Sequence, residues 1–289
     1  MTYHNPVMVA EVITYMRLQP DNIYVDCTAG GGGHLLRMIE ASPESHFVGI
    51  DWDPEALAHA RKVLGQYTSD CAIHEGNFID VGLILKGLHI EQVSGILFDF
   101  GVSYHQVTTP SRGFSYDYDG PLYMQMSPGL PTLKDRLETT SRSELAHVLR
   151  AFGDVRSYRT IAELLYAQRK DLETTGDIRA IVEQVTPKRF HKKNCRRVFQ
   201  ALRIWVNDEL TNISTGLAEA FGCLKNGGRL VTIAYHSGED RIIKRFLRGN
   251  RTRGVMNVLT KKVIRPSEDE IQTNPRARSA RLRAGEKCV

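Results

Sequence analysis

Three aspartates close apolar runs: Asp26 after Ile23-Tyr24-Val25, Asp51 after Phe47-Val48-Gly49-Ile50, and Asp99 after Gly95-Ile96-Leu97-Phe98. Between the first two lies Cys27-Thr28-Ala29-Gly30-Gly31-Gly32-Gly33-His34, followed by Leu35-Leu36-Arg37-Met38-Ile39, whose spacing predicts a helix. In a strand, glycine turn and helix, the backbone can approach a nucleotide-like ligand closely and present free N–H groups to it. An acid at the tip of the next strand, here Asp51, is placed to accept hydrogen bonds from ribose hydroxyls. Phe78, in the loop Glu75-Gly76-Asn77-Phe78 after a third short strand (Cys71-Ala72-Ile73-His74), can stack on a base or plug the core beneath the loop. These residues describe a site for an adenosine-type cofactor. In an open α/β sheet all of them fall at the carboxyl ends of successive strands, where such sheets bind ligands.

The elements that must hold them alternate for the first hundred residues. A helix near residues 4–19 leads into the first strand, and Asp53-Pro54 reads as an N-cap with proline at the first helical position. The fourth strand, Ser94 to Gly101, is a continuous apolar run of the kind buried on both faces of a parallel sheet. Alternation then stops. Residues 109–195 open with the Gly/Pro-bearing loop Thr109–Pro121 and continue in helical patterns over Ser143–Phe152, Ser157–Lys170 and Thr175–Val185. This predicts an all-helical insertion at 109–195 within a discontinuous sheet domain, 1–108 and 196–289. The sheet domain resumes with one long helix from Cys195 to Cys223, ended by Lys225-Asn226-Gly227-Gly228. Arg229 to Tyr235 is the fifth strand, and His236-Ser237 turns into a helix from Ile242 to Leu247. Ser237 is placed either to orient a substrate or to cap that helix, with Asp240 closing a capping box.

Composition narrows the function. The chain has 289 residues, 42% of them hydrophobic and 25% charged, which suits a globular protein with one insertion. No apolar run approaches the ~20 residues needed to span a bilayer, so no membrane role is expected. Five scattered cysteines without a C-x-x-C pair suggest reduced thiols in a cytoplasmic setting, and the histidines show no metal-ligand spacing. The net charge of +5 is uneven: residues 241–289 carry 14 Lys/Arg against 4 Asp/Glu, a net +10 that leaves −5 for residues 1–240. A second basic cluster runs from Lys188 through Arg189, Lys192, Lys193 and Arg196 to Arg197. Two basic blocks against an acidic remainder point to a polyanionic partner such as RNA or DNA. A nicotinamide-dependent oxidoreductase would share the glycine turn and the acid, but its glycine signature starts directly after the strand. Here Asp26-Cys27-Thr28 intervenes, and no hydride-transfer His/Arg or Tyr/Lys pair stands out.

Longer motifs carry a resemblance. The sequence holds His4-x-Pro6-Val7, Asp26-x-Thr28-x-Gly30-x-Gly32-Gly33-His34, Ile50-Asp51-x-Asp53 and Asp99-x-Gly101-Val102-Ser103-x-x-Gln106. It also holds Arg112-Gly113-Phe114-Ser115, Asp119-Gly120-Pro121-Leu122-x-Met124-x-Met126 and Phe199-Gln200-Ala201-Leu202-Arg203-Ile204. His236-Ser237-x-Glu239-Asp240-Arg241 and Asn274-Pro275-Arg276-Ala277-Arg278-Ser279 complete the set. In these motifs, and over almost its whole length, the chain resembles the MraW/RsmH family. Those enzymes are S-adenosylmethionine-dependent methyltransferases acting on cytosine N4 in small-subunit ribosomal RNA.

The resemblance implies a Rossmann-like class I methyltransferase sheet with a helical substrate domain inserted after the fourth strand. It implies S-adenosylmethionine contacts at Gly32, Gly33, His34, Asp51, Phe78, Asp99 and Gln106. Asp99 is expected between cofactor and target amine, with His236 and Ser237 facing the same edge. Cys27 lies inside the cofactor turn, not at a C5-methyltransferase nucleophile position, which favours N-methylation. RNA contacts are expected from Lys188, Arg189, Lys192, Lys193, Arg196 and Arg197, and from Arg276, Arg278, Arg281 and Arg283 in the tail. The substrate is then small-subunit rRNA, naked or in the assembled subunit, with monomer and homodimer both open. The chain departs from the family at Tyr123-Met124-Gln125-Met126-Ser127, where Asp-Met-Arg-Met-Asp is usual. Three charges are lost there, so a non-catalytic or retargeted RNA-binding member of the same fold is the alternative.

Overall fold

The computed structural model describes residues 6–65, 67 and 71–288. His4, in the first motif, lies outside the described residues. The chain divides into two compact units, Met1–Gly101 with Leu210–Val289, and Val102–Glu209.

In the first unit the order is α1 (Val9–Met16), β1 (Ile23–Asp26), α2 (Gly33–Ala41), β2 (His46–Asp51), α3 (Pro54–Leu64), β3 (Cys71–Glu75), α4 (Val81–Gly87) and β4 (Val93–Asp99). The second unit contributes α5 (Tyr104–Thr108), α6 (Leu133–Thr139), α7 (Arg142–Gly153), α8 (Tyr158–Gln168), α9 (Thr175–Val185) and α10 (His191–Val206). The first unit then continues with α11 (Glu209–Cys223), β5 (Leu224–Ala234), α12 (Ser237–Thr252), β6 (Met256–Val258), α13 (Glu268–Thr273) and β7 (Arg281–Lys287). Among the described residues no helix is long and apolar enough to cross a membrane.

The seven strands order as β3-β2-β1-β4-β5-β7-β6. Strands β1 to β5 are parallel, and β7 runs antiparallel to both β5 and β6. This is the class I methyltransferase sheet expected from the sequence. Side chains alternate between two cores, as a pleated strand requires. Tyr24 and Leu97 join Leu35, Met38 and Ala60 on one face, while Val25, Ile96 and Phe98 join Leu85, Leu217 and Ile243 on the other. Burial on both faces explains why β4 reads as an unbroken apolar run. The strand order reverses between β1 and β4, the switch point at whose carboxyl ends such sheets bind ligands.

Three expectations change. The single helix drawn from Cys195 to Cys223 is two helices, interrupted at Asn207-Asp208, where Asp208 has φ 47°. Asn207 is buried; its Nδ2 donates to Met124 O (2.9 Å) and its Oδ1 accepts from Met126 N (2.7 Å), so the side chain is used to tie a distant loop. Lys225–Gly228 does not cap a helix but opens β5, with a register irregularity against β4 between Val93 and Gly95. The tail is not a free basic arm from residue 281 onward, because Arg281–Lys287 is a strand inside the sheet.

The second unit, Val102–Glu209, is wider than the 109–195 insertion drawn from the sequence. The reason is α10, whose buried face of Cys195, Val198, Phe199, Ala201 and Leu202 packs with α7 and α9. Within this unit the altered loop keeps a firm frame. Besides Asn207, Arg112 reaches the carbonyls of Gln125 and Met126 (both 3.4 Å), while Tyr123 points out at 51% exposure.

Candidate active site and nucleic-acid interface

The carboxyl edge of the first unit gathers Asp26, Thr28, His34, Asp99 and Tyr235. Gly32 caps α2 in a left-handed conformation (φ 86°), and a Cβ there would sit 3.3 Å from Ala60 Cβ. Asp51 braces the same turn from β2: its Oδ2 accepts from Gly30 N (2.8 Å) and its Oδ1 from Asp53 N (2.9 Å). Burial lifts the Asp51 carboxyl to about 6.

Asp26 is 1% exposed. Its Oδ1 accepts from Thr28 N (3.0 Å) and Thr28 Oγ1 (3.2 Å), while its Oδ2 finds no donor among the described residues. Burial lifts its carboxyl to about 6 as well. Thr28 Oγ1 also accepts from Asp99 N (2.6 Å), which locks the ends of β1 and β4 together. Asp99 Oδ1 accepts the Tyr235 hydroxyl at 2.8 Å, and Asp99 Oδ2 lies 3.7 Å from His34 Nδ1. His34 Nε2 is bonded to Val7 O (2.9 Å), and burial lowers the ring's proton affinity, so it is held neutral. Burial and the neighbouring Asp99 push Tyr235 well above its usual range, so it stays a hydroxyl donor. Gly101, at φ 111°, leaves room for the Tyr235 ring; a Cβ there would come within 3.2 Å of it.

Not every expected residue has the part that the spacing suggested. His236, rather than Ser237, caps α12: His236 Nδ1 accepts from Gly238 N (3.1 Å) and Glu239 N (3.4 Å). Buried Glu239 returns the contact, accepting from Tyr235 N (2.7 Å) and His236 N (3.1 Å). The capping box is thus His236/Glu239, and Ser237 is exposed in the first turn. Asp240 pairs with Arg283 instead. Phe78 is half-buried, edge-on to Phe98 (5.5 Å) and Phe100 (5.8 Å), with Trp52 at 6.5 Å. Gln106 belongs to the second unit, where its Oε1 accepts from Ser103 N (3.0 Å) in the capping box of α5.

Sequence reading passed over Tyr235, Thr28 and Trp52 as site residues. Tyr235 had a signal. It is a polar aromatic ending an apolar strand, two places beyond the partner of Asp99 in the β4–β5 register.

The family-level match is to the MraW methylase family and covers residues 1–288. The chain belongs to that family. It is 42% identical over 290 residues to the ribosomal RNA small subunit methyltransferase H of Coprothermobacter proteolyticus, covering 99% of this chain and 96% of that one. The protein of the same name from Thermotoga neapolitana is 40% identical, covering 98% of this chain and 96% of that one. That from Syntrophotalea carbinolica is 42% identical, covering 97% and 96% respectively. The methyl donor of this family, S-adenosylmethionine, carries sulfonium and ammonium charges. The edge fits it: the glycine turn leaves space for a backbone approach, and the orphaned Asp26 Oδ2 offers an acceptor to a cation.

In the second unit, Lys188, Arg189, Lys192, Lys193 and Arg196 are exposed along the 188–190 turn and the start of α10. Arg189 lies over the exposed Phe190 ring at 4.8 Å. Arg197 is not free for a ligand in the same way; it binds Asp154 through its carbonyl (2.9 Å) and carboxylate (3.1 Å). In the tail, Arg278 is exposed and Arg276 half-buried. Arg283 is a correction: only 8% exposed, it holds Asp240 at 2.7 and 3.3 Å, so it braces α12 against β7 and does not reach out to RNA.

Proposed function

We propose that this protein transfers a methyl group from S-adenosylmethionine to the exocyclic N4 amine of a cytosine in small-subunit ribosomal RNA. The observation that carries the reading is Asp99. Its carboxylate stands at the β4 terminus with Oδ1 fixed by Tyr235 and its backbone N–H fixed by Thr28. The relatives' shared name supports the substrate class.

Bound S-adenosylmethionine supplies an electrophilic methyl group. The cytosine amine is a poor nucleophile because its lone pair is delocalised into the ring. Asp99 accepts a hydrogen bond from that amine, which favours the pyramidal nitrogen needed for attack. Tyr235 keeps the carboxylate from rotating away and Thr28 fixes the backbone that carries it; holding amine, methyl and sulfur in line is worth up to about 7–11 kcal/mol of barrier in the best aligned cases. With the cofactor bound, Asp26 would face its cationic groups, Gly32 and Gly33 would let it approach the backbone, and Asp51 would accept from the ribose hydroxyls. Phe78 and Trp52 would lie against the adenine. His34 stays neutral, its Nε2 donating to Val7 O, and packs beside Asp99. Ser237, exposed at the start of α12, bears on the base from the β5 side, and His236 holds that turn in place as its cap. The target base must leave its stack to be reached. Lys188, Arg189, Lys192, Lys193, Arg196, Arg276 and Arg278 neutralise phosphates, and Phe190 offers a face for a base. Arg197 contributes by holding the start of the α10 face in place.

The test is methyl transfer from labelled S-adenosylmethionine to small subunits lacking their native modifications, with nucleoside analysis. N4-methylcytidine is expected. A different methylated nucleoside refutes the N4 assignment. Cofactor binding without transfer favours the non-catalytic reading, which the Tyr123–Ser127 loop motivates.

A further inference from the structure

We propose that the outer face of α12 is a second RNA-binding surface, a basic rail that leads from the active edge along the first unit. The proposal rests on the ribosomal RNA reading for its biological ligand, though not for its chemistry. Helix α12 buries Ile243, Leu247 and Asn250 against the sheet. At 100° per residue its cations fall on the opposite side: Arg241, Lys244, Arg245, Arg248 and Arg251 are all exposed. They occupy one stripe about 15 Å long, taking 1.5 Å per residue.

Three features separate this stripe from an ordinary solvated face. First, both acids of the helix are turned inward, with Glu239 buried in the capping box and Asp240 paired with Arg283. Second, none of the five cations has an ion-pair partner within 4.0 Å among the described residues, whereas exposed Arg37 and Arg142 are each paired. Like charges held in a row without counter-charges repel one another, and a polyanion relieves that repulsion. Third, the helix starts at His236-Ser237, directly after the tyrosine that holds Asp99. The rail therefore begins at the candidate active edge, with Arg241 in its second turn, and runs outward. A strand delivering its base to Asp99 would place neighbouring phosphates on it. Phosphate contacts carry little sequence information, so the rail sets affinity and register while the pocket selects the base.

The experiment compares wild type with a variant carrying Arg241→Gln, Lys244→Gln, Arg245→Gln, Arg248→Gln and Arg251→Gln, and with an all-lysine counterpart. Folding is checked by S-adenosylmethionine binding, which the substitutions should leave intact. Binding to small-subunit rRNA and to poly(U) is measured across a salt series. If all five cations meet phosphates, the glutamine variant loses about 3.5 from the slope of log K against log salt, at ~0.7 per single-strand phosphate. Its affinity near 0.1 M salt falls at least about tenfold for both RNAs, and the lysine variant retains wild-type binding. Unchanged affinity and slope overturn the rail. So does binding of the five cations to phosphatidylserine vesicles with no effect on RNA. If wild type binds poly(U) through these residues yet methylates no ribosomal RNA, the functional reading fails and the rail stands. If wild type binds neither RNA, the rail fails, while methyl transfer to small subunits decides the functional reading separately.

Discussion

Tyr235→Phe isolates one contact. The substitution removes a single oxygen that donates to Asp99 Oδ1 at 2.8 Å and leaves the ring beside Gly101 in place. A hydrogen bond to a charged acceptor is worth about 1.5–3 kcal/mol. The Asp99 side chain is 18% exposed, so water can replace part of the donor, which points to the lower end of that range. If Asp99 must be fixed for transfer, about 1.5 kcal/mol appears in the barrier, or roughly a tenfold fall in kcat. The affinity for S-adenosylmethionine should change by less than about twofold, because the uniform part of binding is untouched. Single-turnover methyl transfer and cofactor titration calorimetry measure the two quantities separately. Because Tyr235 is held well above its usual range, its hydroxyl is still a donor at pH 9, so the ratio of the two rates should be the same at pH 7 and pH 9. A loss of thermal stability with an unchanged kcat would show that the bond is structural and that Asp99 is positioned by other means.

Further outcomes follow from the same geometry. Arg283→Ala should cost about 2 kcal/mol of stability in denaturant titration, since it strips Asp240 of a largely buried partner, and should leave RNA affinity unchanged. Asp26 and Asp51 have folded-state carboxyls near 6, above their unfolded range, so the folded state holds their protons more tightly. These two groups therefore favour folding as pH drops from about 7 toward 4 and weaken it as pH rises through 6. A cationic cofactor reverses that preference at Asp26, so binding near pH 6 should release protons, visible as a buffer-dependent calorimetric heat. Gly32→Ala forces a side chain into φ 86° beside Ala60, and should lower stability by about 1–2 kcal/mol with weakened cofactor binding. Neutralising Lys188, Arg189, Lys192, Lys193 and Arg196 together should flatten the salt dependence of RNA binding by about 0.7 for each cation in contact.

The cofactor half was legible because its signals are strong and local. Four apolar runs ending in acids or turns, a glycine run and a proline at a helix start each leave few conformations open. Elsewhere the determinants are long-range. Asn207 breaks a helical pattern because its side chain is bound to Met124 and Met126, more than eighty residues away in sequence, and no local periodicity records that. The strand Arg281–Lys287 alternates only weakly and is rich in charge, so it read as a basic arm; Arg283 is tolerated inside the sheet because Asp240 meets it. His236 escaped notice as a cap because serine, threonine, asparagine and aspartate fill that position more often. Its imidazole can serve because Nδ1 accepts two backbone donors and buried Glu239 answers them.

The sheet order has a consequence for biosynthesis. Strand β7 is the last in chain order of the seven strands described, yet it lies between β5 and β6. While residues 281–287 are still being added, β5 presents an open edge of unpaired amides and carbonyls, and β6 has no partner at all. The second unit, continuous over Val102–Glu209, has all its residues synthesised before that interval. The first unit cannot close. A nascent chain at this stage offers a chaperone, or another unfinished chain, a ready template for strand addition. Slow translation through the segment after α12 would lengthen that exposure, and a cysteine pair across β5 and β7 would report the moment it ends.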